Sequence, residues 1–218
     1  MDSKVIVAVV STIIMIFGSG WYVWQAILDK KVKPVLASWI ILSVTLTLSF
    51  ATYWTTKKHS LIGNIGGLAS AGTAIPILLV LTVLHIKRGK KLLLNKFQKF
   101  CLCVSAAIAA LWVVIVWGLG LTGDIPFWMT QVLMLIGYSV TAQKFRLAKS
   151  NSESLMTWGC ISLSTGMAFY ISYATGQNLA MFSNARGAVC AAILALLARR
   201  AERRALELAK IQVVATSV

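Results

Sequence analysis

Seven apolar runs, each about 20 residues long, occupy most of this chain, and about 20 apolar residues are what a helix needs to cross a hydrocarbon core. They cover residues 5–28, 35–54, 61–85, 97–121, 125–143, 155–175 and 178–198. The chain of 218 residues is 58% hydrophobic and only 12% charged, and the connections between the runs are short. This pattern predicts an all-α membrane protein with seven transmembrane helices in one bundle.

Lys and Arg residues divide unequally between the two sides of these runs. Lys4, Lys57 and Lys58 lie on the side of the N-terminus. The other side holds Lys30, Lys31, Lys33, Lys87, Arg88, Lys90, Lys91, Lys96, Lys99, Lys144, Arg146, Lys149, Arg199, Arg200, Arg203, Arg204 and Lys210. Basic residues accumulate in cytoplasmic loops, so we expect an outside N-terminus, a cytosolic C-terminus and a multi-pass protein of the plasma membrane or a bacterial inner membrane.

The formal net charge of +15 follows from this distribution, and anionic lipids are the partner that such basic loops attract. Nucleic acid is therefore not an expected partner. The tail segment RRAERRALELAK predicts an amphipathic cytosolic helix whose arginines reach lipid headgroups. A homo-oligomer is compatible with the sequence, which does not determine the oligomeric state.

The sequence offers no basis for an enzyme, a metal site or a cofactor. Cys101, Cys103, Cys160 and Cys190 all fall in apolar runs, where we expect them to act as small packing residues. Cys101 and Cys103 are two positions apart and therefore point to different faces of a helix. Metal-ligand spacings, phosphate loops and a nucleophile beside a base do not occur. We expect no catalytic residues.

Two segments of the chain are similar to each other. VWQAILDKKVKPVLASW at residues 23–39 and TAQKFRLAKSNSESLMTW at residues 141–158 both place a glutamine and basic residues before an apolar start that ends on tryptophan. A shift of 119 positions superposes Gly18 on Gly137, Trp39 on Trp158 and Ser43 on Ser162, and a shift of 120 superposes Asn64 on Asn184. Each half then reads as three helices with a basic loop between the first two.

The two basic loops lie on one side of the membrane, so the repeats are parallel and an extra crossing must separate them. We therefore predict a 3+1+3 arrangement. The first repeat covers residues 1–86, a basic loop and linker helix cover 87–121, the second repeat covers 122–198, and a basic tail covers 199–218.

The segment AQKFRLAKSNSESLMTW resembles a PQ-loop motif, and the whole chain resembles the SWEET and PQ-loop superfamily. KKVKPVLASW is similar to the Lys-Pro…Thr/Ser-Trp signature of uncharacterised bacterial members. The motif proline is replaced by Trp24 in the first half and Ala142 in the second. The resemblance implies a facilitator that moves a small-molecule solute, with a sugar as the first guess, by alternating access.

Asn64, Asn184, Trp39, Trp158 and Arg186 are the substrate-binding candidates. The asparagines match the third-helix asparagines that bind substrate in SWEET-like carriers, and their alternative is helix capping or water binding. The tryptophans form either a stacking pair or part of an interfacial belt, to which we also assign Trp21, Trp24, Tyr53, Trp54 and Trp128. Arg186 either reaches outer headgroups or contacts an anionic or polyhydroxyl substrate.

Gln25, Gln143, Gly18, Gly137 and Pro76 are the gating candidates. The resemblance places the two glutamines in the cytosolic closing region, and their alternative is simple solvent exposure at a helix end. The four hinge prolines of SWEET transporters are absent, since only Pro34, Pro76 and Pro126 occur, and the glycines are the alternative source of bending. Pro76 predicts a kink in the third helix. Ser43 and Ser162 suit close helix packing or, alternatively, a cavity wall.

All six Asp and Glu residues lie outside the apolar runs, so we expect no membrane-buried carboxylate and favour passive facilitation over proton coupling. Two alternatives to a sugar-like facilitator share the architecture. One is a membrane receptor or sorting protein, because KDEL receptors share the 3+1+3 fold. The other is a vitamin-precursor carrier of the nicotinamide riboside type, whose pocket would be rich in aromatic side chains.

Overall fold

The computed structural model describes residues 2–29, 35–55, 60–89, 94–147 and 153–216. Over these ranges the regular structure is helical and forms α1 (Ser3–Trp24), α2 (Leu36–Trp54), α3 (Ile65–Lys87), α4 (Lys96–Val113), α5 (Asp124–Leu147), α6 (Leu155–Ala174) and α7 (Asn178–Thr216). Single π-helical segments extend α1 over Gln25–Asp29 and α4 over Val114–Gly118. Each predicted apolar run is thus confirmed as a helix.

Part of each predicted basic loop falls outside the described residues. This applies to positions 148–152 of the PQ-loop-like segment and to Lys30, Lys31, Lys33, Pro34, Lys57, Lys58, Lys90, Lys91 and Lys149.

Six of the described helices are long and apolar enough to cross a membrane, namely α1, α2, α3, α4, α5 and the first 30 residues of α7. The chain is therefore a multi-pass helical membrane protein. The remaining helix, α6, does not meet the same hydropathy criterion, because Thr157, Ser162, Ser164, Thr165 and Ser172 lower its mean hydropathy.

The hydroxyl groups of α6 are used in packing. Ser164 donates a hydrogen bond to the carbonyl oxygen of Ser11 in α1 at 2.8 Å, and Ser11 donates to the carbonyl of Ser164 at 2.9 Å. Ser162 donates to the carbonyl of Ala188 in α7 at 2.9 Å. Small polar residues allow membrane helices to approach closely and to bond to each other. The polarity that lowers the hydropathy of α6 thus bonds it to its neighbours.

The helices form two groups of three that face each other. α1 packs against α3 and α6, α2 packs against α3 and α5, and α7 packs against α5 and α6, while α4 lies against α5 and α2. The contacts of the two groups correspond when α1, α2 and α3 are matched with α5, α6 and α7, in that order. The α1–α6 contact, for example, becomes the α5–α2 contact.

Helices that follow one another along the chain run in opposite directions, which gives the bundle two ends. The start of α1 lies at what we call the N-terminal end, where Lys4 donates to the carbonyl of Ala174 at 3.1 Å. The end of α1 lies at what we call the basic end, where Arg88 donates to the carbonyl of Ala26 at 2.9 Å. Most of the described Lys and Arg residues lie at this second end.

Local signals set several helix limits. Asn95 and Gln98 form a capping box at the start of α4, and Ser154 accepts a hydrogen bond from the Thr157 amide at the start of α6. Gly89 and Gly176 follow α3 and α6 with positive φ, a conformation that ends helices and favours glycine. α7 continues through residue 198 without a break, so the predicted tail helix is a direct extension of the last span.

Candidate functional site

A cavity lies between the two groups of three helices. Its walls come from α1, α2, α3, α5, α6 and α7, and its void space is about 680 Å³ when the part open to solvent is counted. Apolar side chains such as Met15, Leu42 and Met134 cover much of the wall. Polar groups interrupt them: Ser19, Ser49, Ser70, Thr73, Thr165, Ser183, Asn184 and Arg186. A mostly apolar wall with a few polar groups is typical of a small-molecule site.

Three aromatic side chains line this cavity: Trp39, Trp158 and Tyr138. The rings of Trp39 and Trp158 stack with centroids 6.3 Å apart and planes 21° apart, and Tyr138 lies 6.2 Å from Trp158. Trp39 is 5% exposed and Trp158 is 1% exposed. The interfacial-belt interpretation of these two residues is therefore wrong, and they form a stacked pair in the cavity wall.

A polar network extends from Trp39 towards the basic end. The indole N–H of Trp39 donates to the hydroxyl of Tyr22 at 2.9 Å, and that hydroxyl donates to Oε2 of Glu153 at 3.0 Å. Lys144 donates to Oε1 of Glu153 at 2.7 Å, which forms an ion pair. The Glu153 side chain is 2% exposed. The network joins α1, α2, α5 and the residue before the N-cap of α6.

Glu153 adds a feature that the sequence did not predict. The residue lies outside the apolar runs, but the bundle buries it. The expectation of no membrane-buried carboxylate stays a prediction, because this burial comes from the packing of helix ends and not from an apolar run. A buried carboxylate requires a partner, and Lys144 and Tyr22 supply two.

Arg186 lines the cavity from α7. Its Nη2 atom lies 3.3 Å from Oγ and 3.4 Å from the carbonyl oxygen of Ser183, one turn earlier in α7. Its Nε and Nη1 atoms are buried and have no hydrogen-bond partner among the described residues. Buried guanidinium nitrogens do not reach lipid headgroups, so the snorkelling interpretation is wrong for this arginine.

Asn64 and Asn184 occupy different kinds of position. Asn184 is inside α7, is 4% exposed, lines the cavity and donates to the Ser172 hydroxyl at 2.9 Å. Asn64 is the residue before α3 and is 6% exposed. It is not among the described lining residues, although the nearby Gly66 and Gly67 are. A Cβ on Gly66 would lie 2.5 Å from the Asn184 side-chain oxygen, and one on Gly67 would lie 2.5 Å from that of Asn64.

The glycines predicted to bend the first helix of each half instead mark close contacts. Ser38 donates to the carbonyl of Gly137 at 2.8 Å, and Thr157 donates to the carbonyl of Gly18 at 3.0 Å. These two bonds are equivalent under the shift of 119 positions that relates the halves. A Cβ on Gly18 would overlap the Cβ of Cys160. Their part in gating stays a prediction.

The other gating candidates lie around the basic end and in α3. The side-chain oxygen of Gln143 accepts a hydrogen bond from the side-chain amide of Asn95 at 3.3 Å. Gln25 begins the π-helical segment after α1, and its side-chain oxygen is buried without a partner among the described residues. Pro76 lies within α3, which runs through it as one helix. Ser43 donates to the carbonyl of Ala74 at 3.0 Å, which confirms a packing role for that serine.

Contacts between the halves also occur at the N-terminal end. The hydroxyl of Tyr53, at the end of α2, lies 2.9 Å from the side-chain oxygen of Gln177, before α7. Ser172 in α6 donates to the carbonyl of Gly63 at 2.7 Å. Tyr53 is 6% exposed, so its assignment to the interfacial belt is wrong. The cavity therefore lies between two sets of polar contacts.

Sequence reasoning missed Tyr22, Tyr138, Lys144 and Glu153 as site residues. Glu153 had one usable signal, since it is an acidic residue directly before a helix start in the PQ-loop-like segment. Tyr22 and Tyr138 sit in apolar runs with nothing in the neighbouring letters to separate them from core or belt residues. Only the packing of α1 and α5 against α2 and α6 places them at the site.

Comparisons of the chain with models of protein families, with curated proteins and with solved structures give no match.

Proposed function

We propose that this protein is a SWEET-like facilitator, not an enzyme, that moves a small polar solute through the central cavity by alternating access. The observation that carries the proposal is the position of the cavity. Helices of both halves form its walls, and polar contacts between the halves lie beyond it at each end. Alternating access requires two such closures around one binding site.

The proposal includes seven crossings in a 3+1+3 order, with the N-terminus outside and the C-terminus in the cytosol. α6 supplies the seventh crossing, since its 20 residues span about 30 Å at 1.5 Å per residue. Thr157, Ser162 and Ser164 donate to backbone carbonyls of α1 and α7, so these three hydroxyls are used inside the bundle. The equivalent bonds Ser38–Gly137 and Thr157–Gly18 support parallel repeats.

Anionic lipids are the proposed partner of the C-terminal part of α7. The helix has 39 residues, about 58 Å at 1.5 Å per residue, and a hydrocarbon core is only roughly 30 Å thick. Its exposed arginines Arg199, Arg200, Arg203 and Arg204 therefore lie beyond the core. At the cytosolic surface they would meet anionic headgroups.

A second candidate function rests on the aromatic wall. Trp39, Trp158 and Tyr138 provide flat surfaces for a ring-containing solute, as a vitamin-precursor carrier would need. Arg186 in the same wall opposes the positively charged ring of nicotinamide riboside itself. The receptor alternative predicts ligand binding without movement of solute across the membrane.

Solute uptake into proteoliposomes tests the proposal. The wild type, Asn184→Ala, Asn64→Ala and, as a control, Asn178→Ala are compared across a panel of radiolabelled sugars and small acids. Asn178 is an exposed amide on the same helix, so its substitution should leave uptake unchanged. We expect Asn184→Ala to reduce uptake at least about tenfold, because Asn184 lies in the wall and the loss of one buried polar contact to a solute costs on the order of 1–3 kcal/mol.

The outcomes separate the alternatives. Binding by the wild type without uptake would exclude a facilitator and favour the receptor. Full uptake by Asn184→Ala would remove that residue from the substrate site. Full uptake by Asn64→Ala would leave Asn64 as a residue that only supports the start of α3.

A further inference from the structure

Buried nitrogen donors without partners are concentrated in the cavity wall. Among the described residues, six buried side-chain polar atoms have no hydrogen-bond partner, and three of them belong to residues that line the cavity. They are Nε and Nη1 of Arg186 and Nε1 of Trp158. All three carry hydrogen to donate, so each lacks an acceptor. Buried polar groups in native structures are paired, and an orphan requires an explanation.

The charge of the cavity wall also indicates a missing acceptor. Arg186 is the one charged side chain among the described residues that line the cavity, and its guanidinium cannot lose its charge in a protein. Among the described residues its one side-chain hydrogen-bond partner is Ser183, which is neutral. A charge inside a membrane bundle is costly unless it is paired, and such residues mark substrate or ion pathways. Water would satisfy the donors but would not balance the charge.

We propose that the solute is a small organic anion, a hydroxy acid whose carboxylate binds Arg186. A planar guanidinium presents donors in a geometry that matches a carboxylate. Asn184 and Ser70 line the same cavity and can bond to the hydroxyl group of the solute, while the stacked rings of Trp39 and Trp158 cover its carbon atoms. This inference rests on the proposed function, because it names the solute class of the same cavity.

Matched pairs of solutes test the role of the carboxylate. Lactate is compared with 1,2-propanediol, and gluconate with sorbitol, because each neutral partner keeps the other hydroxyl groups and carries a CH2OH group where the acid carries its carboxylate. Sodium chloride at equal ionic strength controls for inorganic anions. Binding to the purified full-length protein in detergent is followed by tryptophan fluorescence and by the shift in the thermal unfolding midpoint.

Three variants separate a binding role from a structural one. Arg186→Gln removes the charge, Arg186→Lys keeps it, and Arg200→Gln removes an exposed arginine from the same helix as a control. We expect the wild type and Arg200→Gln to bind at least one acid about ten times more tightly than its neutral partner, as one charge-assisted pair would give. Arg186→Gln should lose this preference, and Arg186→Lys should retain part of it. Without solute, Arg186→Gln should unfold at a higher temperature than the wild type, because it removes an uncompensated buried charge.

The results separate this inference from the proposed function. The organic-anion inference would be overturned if the wild type bound acids and their neutral partners equally, or if Arg186→Gln bound the acids as the wild type does. It would also be overturned if the protein bound chloride alone or none of the acids. Uptake of a neutral solute that Arg186→Gln does not alter would also overturn it while leaving the facilitator intact. Tight acid binding without uptake would support the anion site and reject the facilitator.

Discussion

The indole rings of Trp39 and Trp158 stack on each other across the interface between the two halves of the bundle, with centroids 6.3 Å apart. Their polar edges differ. The N–H of Trp39 donates to Tyr22, whereas the N–H of Trp158 is buried without a partner among the described residues. One member of the pair is therefore part of the network at the basic end, and the other has a free donor in the cavity wall.

This difference predicts an energetic coupling between Trp39 and Tyr22. In a double-mutant cycle of Trp39→Phe and Tyr22→Phe, we expect a coupling of about 0.5–1.5 kcal/mol, the usual net value of one hydrogen bond. Phenylalanine keeps an aromatic ring at each position, so most of the packing loss cancels in the cycle. The free energy of unfolding in mixed SDS and detergent micelles provides the measurement.

The matched control is the cycle of Trp158→Phe with Tyr22→Phe. Because Trp158 makes no hydrogen bond to Tyr22, this second cycle should give a coupling near zero. A coupling of similar size in both cycles would mean that ring packing, and not the hydrogen bond, links these residues.

The buried ion pair predicts an asymmetric response to loss of one charge. Lys144→Met removes the cation that lies 2.7 Å from the buried Glu153 carboxylate, and removal of one partner from a buried pair costs about 3–5 kcal/mol. The value should fall near the lower limit, since the Lys144 side chain is 15% exposed. The thermal unfolding midpoint of the purified protein should therefore fall clearly.

Restoring neutrality should recover most of this loss. We expect the double variant with Lys144→Met and Glu153→Gln to be more stable than Lys144→Met alone, because a neutral amide then replaces the buried carboxylate that lost a cation. A double variant that is less stable than Lys144→Met would show that Glu153 stabilises the basic end through contacts other than this ion pair.

The contact between α1 and α6 at Gly18 predicts a specific rescue. Gly18→Ala places a methyl group onto the Cβ of Cys160, and overpacking of this kind costs about 1–3 kcal/mol. Cys160→Gly should restore stability to Gly18→Ala, whereas Cys160→Ala should not, since alanine retains the Cβ. Unfolding in mixed micelles measures all of these variants.

Two other glycines serve as comparisons. Gly20 lies on the same helix, and a methyl group added there would have no neighbouring atom within 4 Å, so Gly20→Ala should be neutral or stabilising. A Cβ on Gly137 would meet the end of the Leu42 side chain at 2.8 Å, and this side chain can move. Gly137→Ala should therefore cost less than Gly18→Ala, and the reverse order would contradict the rigid contact assigned to Cys160.

The positions of the helices could be read from the letters because each apolar run has to satisfy its own backbone within a membrane. The first residues of α2, α6 and α7 lie within one position of the first residues of the predicted runs. The predicted run began at residue 61, but α3 begins at Ile65, because residues 61–64 form a turn. Local chain chemistry therefore decided where the helices lie.

Some site residues could be identified from the sequence and others could not, for a physical reason. Trp39, Trp158, Asn184 and Arg186 were identifiable because a large aromatic, an amide or a charge is conspicuous in an apolar run. Tyr22 and Glu153 were not, because they are partners that lie 131 positions apart in the chain. Asn64 and Asn184 match in the sequence alignment of the two halves, but their positions relative to the helices differ. Asn184 lies six residues inside α7, which begins at Asn178, whereas Asn64 directly precedes α3.

By itself, the sequence determined an all-helical membrane protein with helices at these positions, because hydrophobic length and helix capping act within a segment. Only the tertiary structure decided that Glu153 is buried, that the two tryptophans stack and that Nε and Nη1 of Arg186 are buried without a partner among the described residues. These properties arise where different helices meet, and the burial of a charge or the pairing of a donor depends on the neighbours that packing supplies.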